Sequence, residues 1–173
     1  MRKLIVVAFA AMLALPALAV AGSPSPADKA AAVKQCSTLR TGMGAAPFKQ
    51  LYGTNANKSN AFGKCVSNLA QKNEQDRSNA AAACRTERSA DPVAFATKYG
   101  KGPKHANAFG NCVSANAKAA AAARIEATKN AAKACWTERK ADLAAFKAKY
   151  GTNADKSNAF GKCVSLKVKH SSS

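Results

Sequence analysis

Acidic residues are scarce in this chain, which has nine Asp and Glu against 27 Lys and Arg and a formal net charge of +18. The charge falls to +16 if Arg2 and Lys3 leave with an N-terminal leader, which is still more than solubility requires of a domain of this size. Polyanions are therefore the expected class of partner.

Large apolar side chains are also few. The hydrophobic fraction is 47%, but alanine supplies much of it, and aromatic residues make up only 6%. Because alanine buries little surface, one large hydrophobic core is excluded.

The long apolar run of the sequence is confined to its start. Arg2 and Lys3 precede the run from Leu4 to Leu15, and small residues follow it. This pattern is typical of a secretory signal peptide, which we place at residues 1–21. An uncleaved anchor is the alternative, but Pro16 interrupts the run and no basic cluster follows directly.

Groups that carry catalysis or bind metals are missing from the sequence pattern. There are two histidines, and no cysteines are spaced as Cys-x-x-Cys, which argues against zinc and against disulfide exchange. Residues 55–59 and 153–157 alternate oxygen-bearing side chains as a calcium loop does, but they lack its glycine and its glutamate, so a turn is predicted. Glu87 and Glu138 recur and are interpreted as capping or ion-pair residues. We predict no enzyme activity, no cofactor and no metal.

A repeated segment organises the rest of the chain. It runs from Cys36 to Cys65 (copy 1), from Cys84 to Cys112 (copy 2) and from Cys135 to Cys163 (copy 3). Aromatic residues occupy matching columns in the copies and form the predicted repeat core: Phe48, Tyr52 and Phe62; Phe95, Tyr99 and Phe109; Phe146, Tyr150 and Phe160.

The six cysteines predict three disulfides in an oxidising compartment. Pairing within each copy, which joins Cys36 to Cys65, Cys84 to Cys112 and Cys135 to Cys163, is the only scheme that treats all copies alike. A bond between Cys65 and Cys84 is excluded if both lie on one helix, because 19 residues of helix span about 28 Å.

Capping residues predict where the helices begin and end. In copy 2, Asp91 is a predicted N-cap, Pro92 begins a two-turn helix, and Gly100 ends it. Asn60, Asn107 and Asn158 are predicted to cap the helices that follow, and two long helices should extend over 60–89 and 107–141. A glycine follows Phe62, Phe109 and Phe160, the last aromatic residue of each copy. This recurrence suggests that another backbone passes close to each glycine.

These features predict an all-α fold with three tandem disulfide-stapled repeats, joined by long Ala/Lys-rich helices in a loosely antiparallel arrangement. The helix middles carry few large apolar residues, so helix propensity rather than burial should stabilise them. The predicted segments are a signal peptide (1–21), a mobile Pro/Ser spacer (22–29), repeat 1 (30–67), repeat 2 (80–115), repeat 3 (131–167) and a disordered tail (168–173).

Two columns of basic residues are candidates for anion binding. One column contains an arginine four residues after the first cysteine of each copy. The other contains lysines in the loop that follows the short helix and at the start of the next helix. Capping of helix carbonyls, or pairing with Asp91 and Asp142, is the alternative role of the arginines. The candidates are Arg40, Arg88, Arg139, Lys58, Lys64, Lys156 and Lys162, with His105 at the matching loop position of copy 2.

We expect a secreted, extracellular or periplasmic, non-enzymatic protein that binds anionic polymers of the cell envelope or extracellular matrix. Teichoic acid, lipopolysaccharide, acidic polysaccharide and extracellular DNA share the required charge. A structural or protein-binding repeat module, with a protein partner on the aromatic columns or Trp136, and a membrane-active cationic protein are the alternatives.

Overall fold

The computed structural model describes residues 22–170, which form seven α-helices and no β-strand. The predicted all-α class is confirmed. The predicted signal peptide and residues 171–173 lie outside the described residues. The helices are α1 (Pro26–Met43), α2 (Ala45–Tyr52), α3 (Ala61–Ala90), α4 (Pro92–Tyr99), α5 (Ala108–Ala141), α6 (Leu143–Tyr150) and α7 (Ala159–His170).

Three disulfides join the helices, and they have the pairing that the repeat predicts. The bonds connect Cys36 to Cys65, Cys84 to Cys112 and Cys135 to Cys163, with Cα–Cα distances of 6.0, 6.1 and 6.0 Å. All six cysteines are fully buried. Disulfides of this kind indicate an oxidising environment.

The short helices α2, α4 and α6 begin where capping chemistry predicts. The Asp91 carboxylate accepts hydrogen bonds from two amides of α4, and the Asp142 carboxylate accepts one from Ala145 of α6. Gly44 stands at the start of α2 with a φ of 92°, and no side chain caps this helix. The boundaries predicted for the short helix of copy 2 are therefore confirmed.

The asparagines before the long helices do not cap them. Asn60 precedes α3, but its side chain turns back into the loop, where it accepts from the Thr54 amide at 3.0 Å and donates to the Thr54 hydroxyl at 2.8 Å. Asn158 makes the same two bonds with Thr152. The side chain of Asn107 does not cap α5 either. The predicted capping role was wrong, because Asn60 and Asn158 close the loops instead.

The repeated glycines after the phenylalanines also differ from expectation. A Cβ atom added at Gly63, Gly110 or Gly161 would meet nothing within 4 Å. No described backbone passes close to them, and the structure does not explain their recurrence. The close approach occurs instead at the glycine after each tyrosine. At Gly151 an added Cβ would lie 2.7 Å from the Lys156 Cβ.

The main core is shared by copies 1 and 3. α3 contacts α1 and α5, α5 contacts α7, and α2 contacts both α5 and α7. A single apolar cluster, here called the main cluster, therefore contains Phe48 of copy 1 together with Phe146 and Phe160 of copy 3. Copy 2 has a separate small cluster whose buried members are Cys84, Phe95 and Cys112.

The middles of α3 and α5 are held by contacts rather than by helix propensity alone. Small side chains such as Ala70 and Ala132 are buried between the helices. Asn73 is buried in α3, and its amide oxygen accepts from Arg124 of α5 at 2.9 Å. Arg124 also pairs with Asp76 of α3. The small alanine side chains allow α3 and α5 to approach each other closely, and the polar contacts of Arg124 then hold the two helices together. The sequence pattern did not predict this packing.

Both ends of the described chain are more ordered than expected. α1 begins at Pro26 inside the predicted spacer, because Ser25 and Asp28 form a reciprocal capping box. Ser25 also accepts a hydrogen bond from Arg77 of α3. α1 continues through Gly42 and ends at Met43, and α7 reaches His170 within the predicted tail.

Candidate anion-binding surface

Every carboxylate side chain of the protein is engaged within the protein itself. Three of the nine, Asp91, Asp142 and Asp155, accept hydrogen bonds from backbone amides. The other six form ion pairs: Asp28 and Glu74 with Arg77, Asp76 with Arg124, Glu87 with Lys98, Glu126 with Lys129, and Glu138 with Lys149 and Lys167.

The basic side chains are far more numerous than these partners. Six of them take part in the ion pairs, and most of the others in the described chain have no carboxylate oxygen within 4.0 Å. The excess positive charge therefore remains at the surface, where it attracts anions.

The loop lysines of the predicted column have a structural role as well. Lys58 and Lys156 have positive φ angles of 58° and 55°. Their ammonium groups donate to the carbonyl oxygens of Gly53 and Gly151, at 3.0 and 3.1 Å. Each lysine thus closes its own loop. An ammonium has three donors, so two remain for an external anion.

Two arginines of the column, Arg88 and Arg139, contact aromatic rings, which the sequence did not predict. In copy 2 the Arg88 guanidinium carbon lies 5.1 Å from the centroid of Phe109. In copy 3 Arg139 lies 5.0 Å from that of Trp136. Arg40 lines a shallow depression beside Phe62. None of the three pairs with Asp91, Asp142 or another described carboxylate. Stacking leaves the edges of a guanidinium free to donate.

Lys64 and Lys162 are exposed in the first turns of α3 and α7. Neither side chain makes a hydrogen bond or ion pair within residues 22–170. The backbone amide of Lys64 bonds to the Asn60 carbonyl as part of the helix. These two ammonium groups are therefore the freest of the predicted candidates.

A cleft between copies 1 and 3 brings several basic residues together. It has a volume of about 210 Å³ and is lined by Lys58 and Gln50 of copy 1 and by Arg139, Lys147 and Lys156 of copy 3. No carboxylate lines it. Lys58, Arg139 and Lys156 were predicted candidates. Lys147 and Gln50 were not predicted. Lys147 corresponds to Ala96 in copy 2, so the repeat has no basic residue common to all copies at this position.

A larger groove of about 690 Å³ lies along α1, α3 and α5. Alanines and Phe109 supply its apolar lining, and Asp28 and Glu74 face it with their partner Arg77. Because carboxylates are present here, this groove is less suited to an anion than the small cleft is.

The aromatic columns contribute to both apolar clusters. Phe48, Phe95, Phe146 and Tyr150 of the first two columns are buried, whereas Tyr52 and Tyr99 are only partly buried. The ring centroids of Phe48 and Tyr52 are 5.0 Å apart, and those of Phe146 and Tyr150 are 4.9 Å apart. In the third column Phe160 is fully buried, whereas Phe62 is only partly buried. These side chains stabilise the fold, and Phe109 also lines the larger groove.

Glu87 and Glu138 are ion-pair residues, as interpreted, but their partners lie on the short helices. Glu138 accepts from Lys149 at 2.8 Å and from the Tyr150 hydroxyl at 3.0 Å. The hydrogen bond from Lys149 is the main cause that lowers the pKa of Glu138, and it raises the pKa of Lys149. Glu87 has the corresponding bonds with Lys98 and Tyr99.

Copy 1 replaces this ion pair with leucines. Leu39 stands at the glutamate position and is fully buried, and Leu51 stands at the lysine position and packs against the main cluster. Tyr52 consequently has no glutamate partner, and burial raises its pKa to about 12. The three copies thus have different surroundings despite their common pattern.

Searches of the described residues and of known proteins place further limits. No group of three His, Cys, Asp or Glu side chains within residues 22–170 is arranged to hold a metal ion. None of the described helices is long and apolar enough to span a membrane. No protein-family model, curated protein or solved structure matches the chain.

Proposed function

We propose that this is a secreted, non-enzymatic protein that binds anionic polymers of the cell envelope or extracellular matrix. The observation that carries the proposal is the state of the charges: all nine carboxylates are engaged, while most basic side chains have no carboxylate partner. A polymer of phosphate, sulfate or carboxylate groups supplies the missing counter-charge.

The proposed architecture suits this function. In this architecture each copy is one structural repeat and the helices α1, α3, α5 and α7 run antiparallel to one another in turn, an arrangement that the disulfides between successive helices support. The disulfides then hold the charged surface in a fixed shape outside the cell. A rigid surface loses less conformational entropy on binding than a flexible tail does.

The test is affinity as a function of salt. The oxidised protein, residues 22–173, is titrated with polyphosphate, heparin, double-stranded DNA and lipopolysaccharide at several NaCl concentrations. Release of counterions predicts that the logarithm of the affinity falls linearly with the logarithm of the salt concentration. Affinity that does not change with salt would contradict the proposal and favour a protein partner.

A further inference from the structure

The cleft between copies 1 and 3 concentrates positive charge from two separate parts of the chain. Lys58 belongs to the loop after α2, Arg139 to the end of α5, Lys147 to α6 and Lys156 to the loop before α7. These residues meet because the two copies share the main cluster.

The carboxylates nearest in sequence compensate this charge only in part. Hydrogen bonds with Ser157 are the main cause that lowers the pKa of Asp155, and the charge of Lys147 lowers it further. Asp142 accepts from an α6 amide, and Asp155 accepts from the Ser157 amide at 3.1 Å. Neither lines the cleft. Four like charges in a concave surface repel one another and focus the field, so an anion placed among them lowers the electrostatic energy.

The donors are held in place by other contacts. The bonds of Lys58 and Lys156 to the loop carbonyls fix the direction of both side chains. Arg139 is stacked on Trp136. Little side-chain freedom remains to be lost when these three groups bind a ligand, which favours affinity.

The apolar residues that line the rest of the cleft limit the size of the ligand and strengthen its electrostatic interaction with the cations. Leu143, Phe146 and Phe160 supply apolar walls, and charges interact more strongly beside such walls than in open water. A volume of about 210 Å³ fits one small group. A group with three or four oxygens can accept from more of the donors that line the cleft than a carboxylate with two can.

Copy 2 provides a comparison within the same molecule. Ala96 and His105 replace Lys147 and Lys156 there. Arg88, which corresponds to Arg139, is stacked on Phe109, and no second copy shares the small cluster of copy 2. The structure therefore has the complete set of four cations at one end of the long helices only.

We propose that the cleft formed by Lys58, Arg139, Lys147 and Lys156 is a specific site for one tetrahedral oxyanion group, a phosphate or a sulfate, of the bound polymer. This inference rests on the proposed function and makes it more specific. Copies 1 and 3 bind the polymer through a defined site, and copy 2 does not.

Trp136 gives a direct measurement, because it is the only tryptophan of the chain and it contacts Arg139. The oxidised protein is titrated at constant ionic strength with polyphosphate, heparin, polyglutamate and orthophosphate while tryptophan emission is recorded. We expect a saturable change with polyphosphate or heparin and a weaker one with polyglutamate. A saturable response to orthophosphate below millimolar concentration would identify the free ion as the ligand.

Charge-matched variants locate the site. R139Q/K147Q removes two charges from the cleft and leaves both loop lysines intact, whereas K101Q/K104Q removes two exposed charges from the loop of copy 2. The first pair should weaken polyphosphate binding by roughly tenfold or more and lower the salt slope by about two, and the second should change both only slightly. K147Q alone keeps the Arg139–Trp136 contact and should reduce the affinity measured by fluorescence.

The possible results separate this inference from the proposed function. If both double variants weaken binding equally, or if K147Q leaves the affinity measured by fluorescence unchanged, the cleft is not a specific site, although the polyanion proposal stands. If the unmodified protein binds none of the polymers, both proposals fail. Circular dichroism of each variant confirms that a loss of binding is not a loss of folding.

Discussion

At the scale of single residues, Glu138 connects three elements of the third copy. Its carboxylate on α5 accepts from Lys149 and Tyr150 of α6, and it lies 3.7 Å from the ammonium nitrogen of Lys167 on α7. The hydrogen bond from Lys149 is the main cause that holds the pKa of Glu138 below its usual range. A carboxyl group whose pKa is lower in the folded state stabilises the fold above its unfolded pKa.

The thermal midpoint of the oxidised protein should therefore fall as the pH decreases through and below about 4.5, because protonation removes this stabilisation. Glu138→Gln should lower the midpoint by a few degrees at neutral pH and make the acid dependence shallower. Calorimetry between neutral and acid pH measures both effects. Glu126→Gln is the control, since it removes a pair within one helix only, and equal pH profiles for Glu138→Gln and the unmodified protein would contradict this role.

Two glycines of copy 3 should respond to alanine in opposite directions. A Cβ at Gly151 would lie 2.7 Å from the Lys147 carbonyl oxygen and from the side chain of Lys156. Gly151→Ala should therefore cost about 1 to 3 kcal/mol of unfolding free energy. Gly161 in α7 has open space around it, so Gly161→Ala should stabilise the protein by up to about 1 kcal/mol. Urea denaturation measures the unfolding free energy of both variants. Equal changes in the two would show that the close contact at Gly151 does not affect stability.

At the scale of helices and loops, the capping chemistry of the short helices was readable from the sequence. Asp91, Pro92 and Gly100 define α4 by local interactions alone. The role of Asn60 was not readable, because an asparagine before a helix can bond either forward to the helix or backward to the loop. The choice made here, a pair of bonds to Thr54, depends on the fold of the whole loop.

Copy 2 should be the least stable element, because its small cluster has only three buried members. Replacing both Cys84 and Cys112 by alanine removes about 3 to 4 kcal/mol of loop-closure stabilisation, and the few remaining contacts of α4 cannot offset this. Hydrogen exchange should show that the α4 amides lose their protection while those of α2 and α6 keep theirs. Replacing Cys36 and Cys65 should leave α2 partly protected, since the main cluster still holds it. Equal loss of protection in α2 and α4 would contradict this difference between copies.

At the scale of the whole molecule, the sequence predicted the columns of charge but not how the copies combine. Lys58 and Lys156 were recognisable from the repeat. Their meeting in one cleft depends on long-range packing, in which α2 of copy 1 contacts α5 and α7 of copy 3. Contacts between residues so far apart in the chain leave no local pattern in the sequence. Local patterns therefore identified Lys58, Arg139 and Lys156 but not Lys147, and long-range packing determined the shape of the cleft.

The uncompensated charge should also affect folding stability. A net charge of +18 destabilises a compact state through self-repulsion, and salt screens that repulsion. Raising NaCl from low to physiological concentration should increase the thermal midpoint by a few degrees, while the same salt weakens polyanion binding. Calorimetry in NaCl and in an uncharged osmolyte distinguishes screening from general solute effects. A midpoint that does not depend on salt would show that the repulsion is energetically minor.

The two long helices are joined at both of their ends. The Cys84–Cys112 bond connects α3 to α5 beside copy 2, and both helices also contribute to the main cluster. An insertion in the middle of only one of these helices would move Cys84 and Cys112 out of reach of each other. If the disulfide were kept, the insertion would instead separate copy 1 from copy 3 in the main cluster. Related chains of different length should therefore gain or lose residues in α3 and α5 together, in steps of whole helical turns.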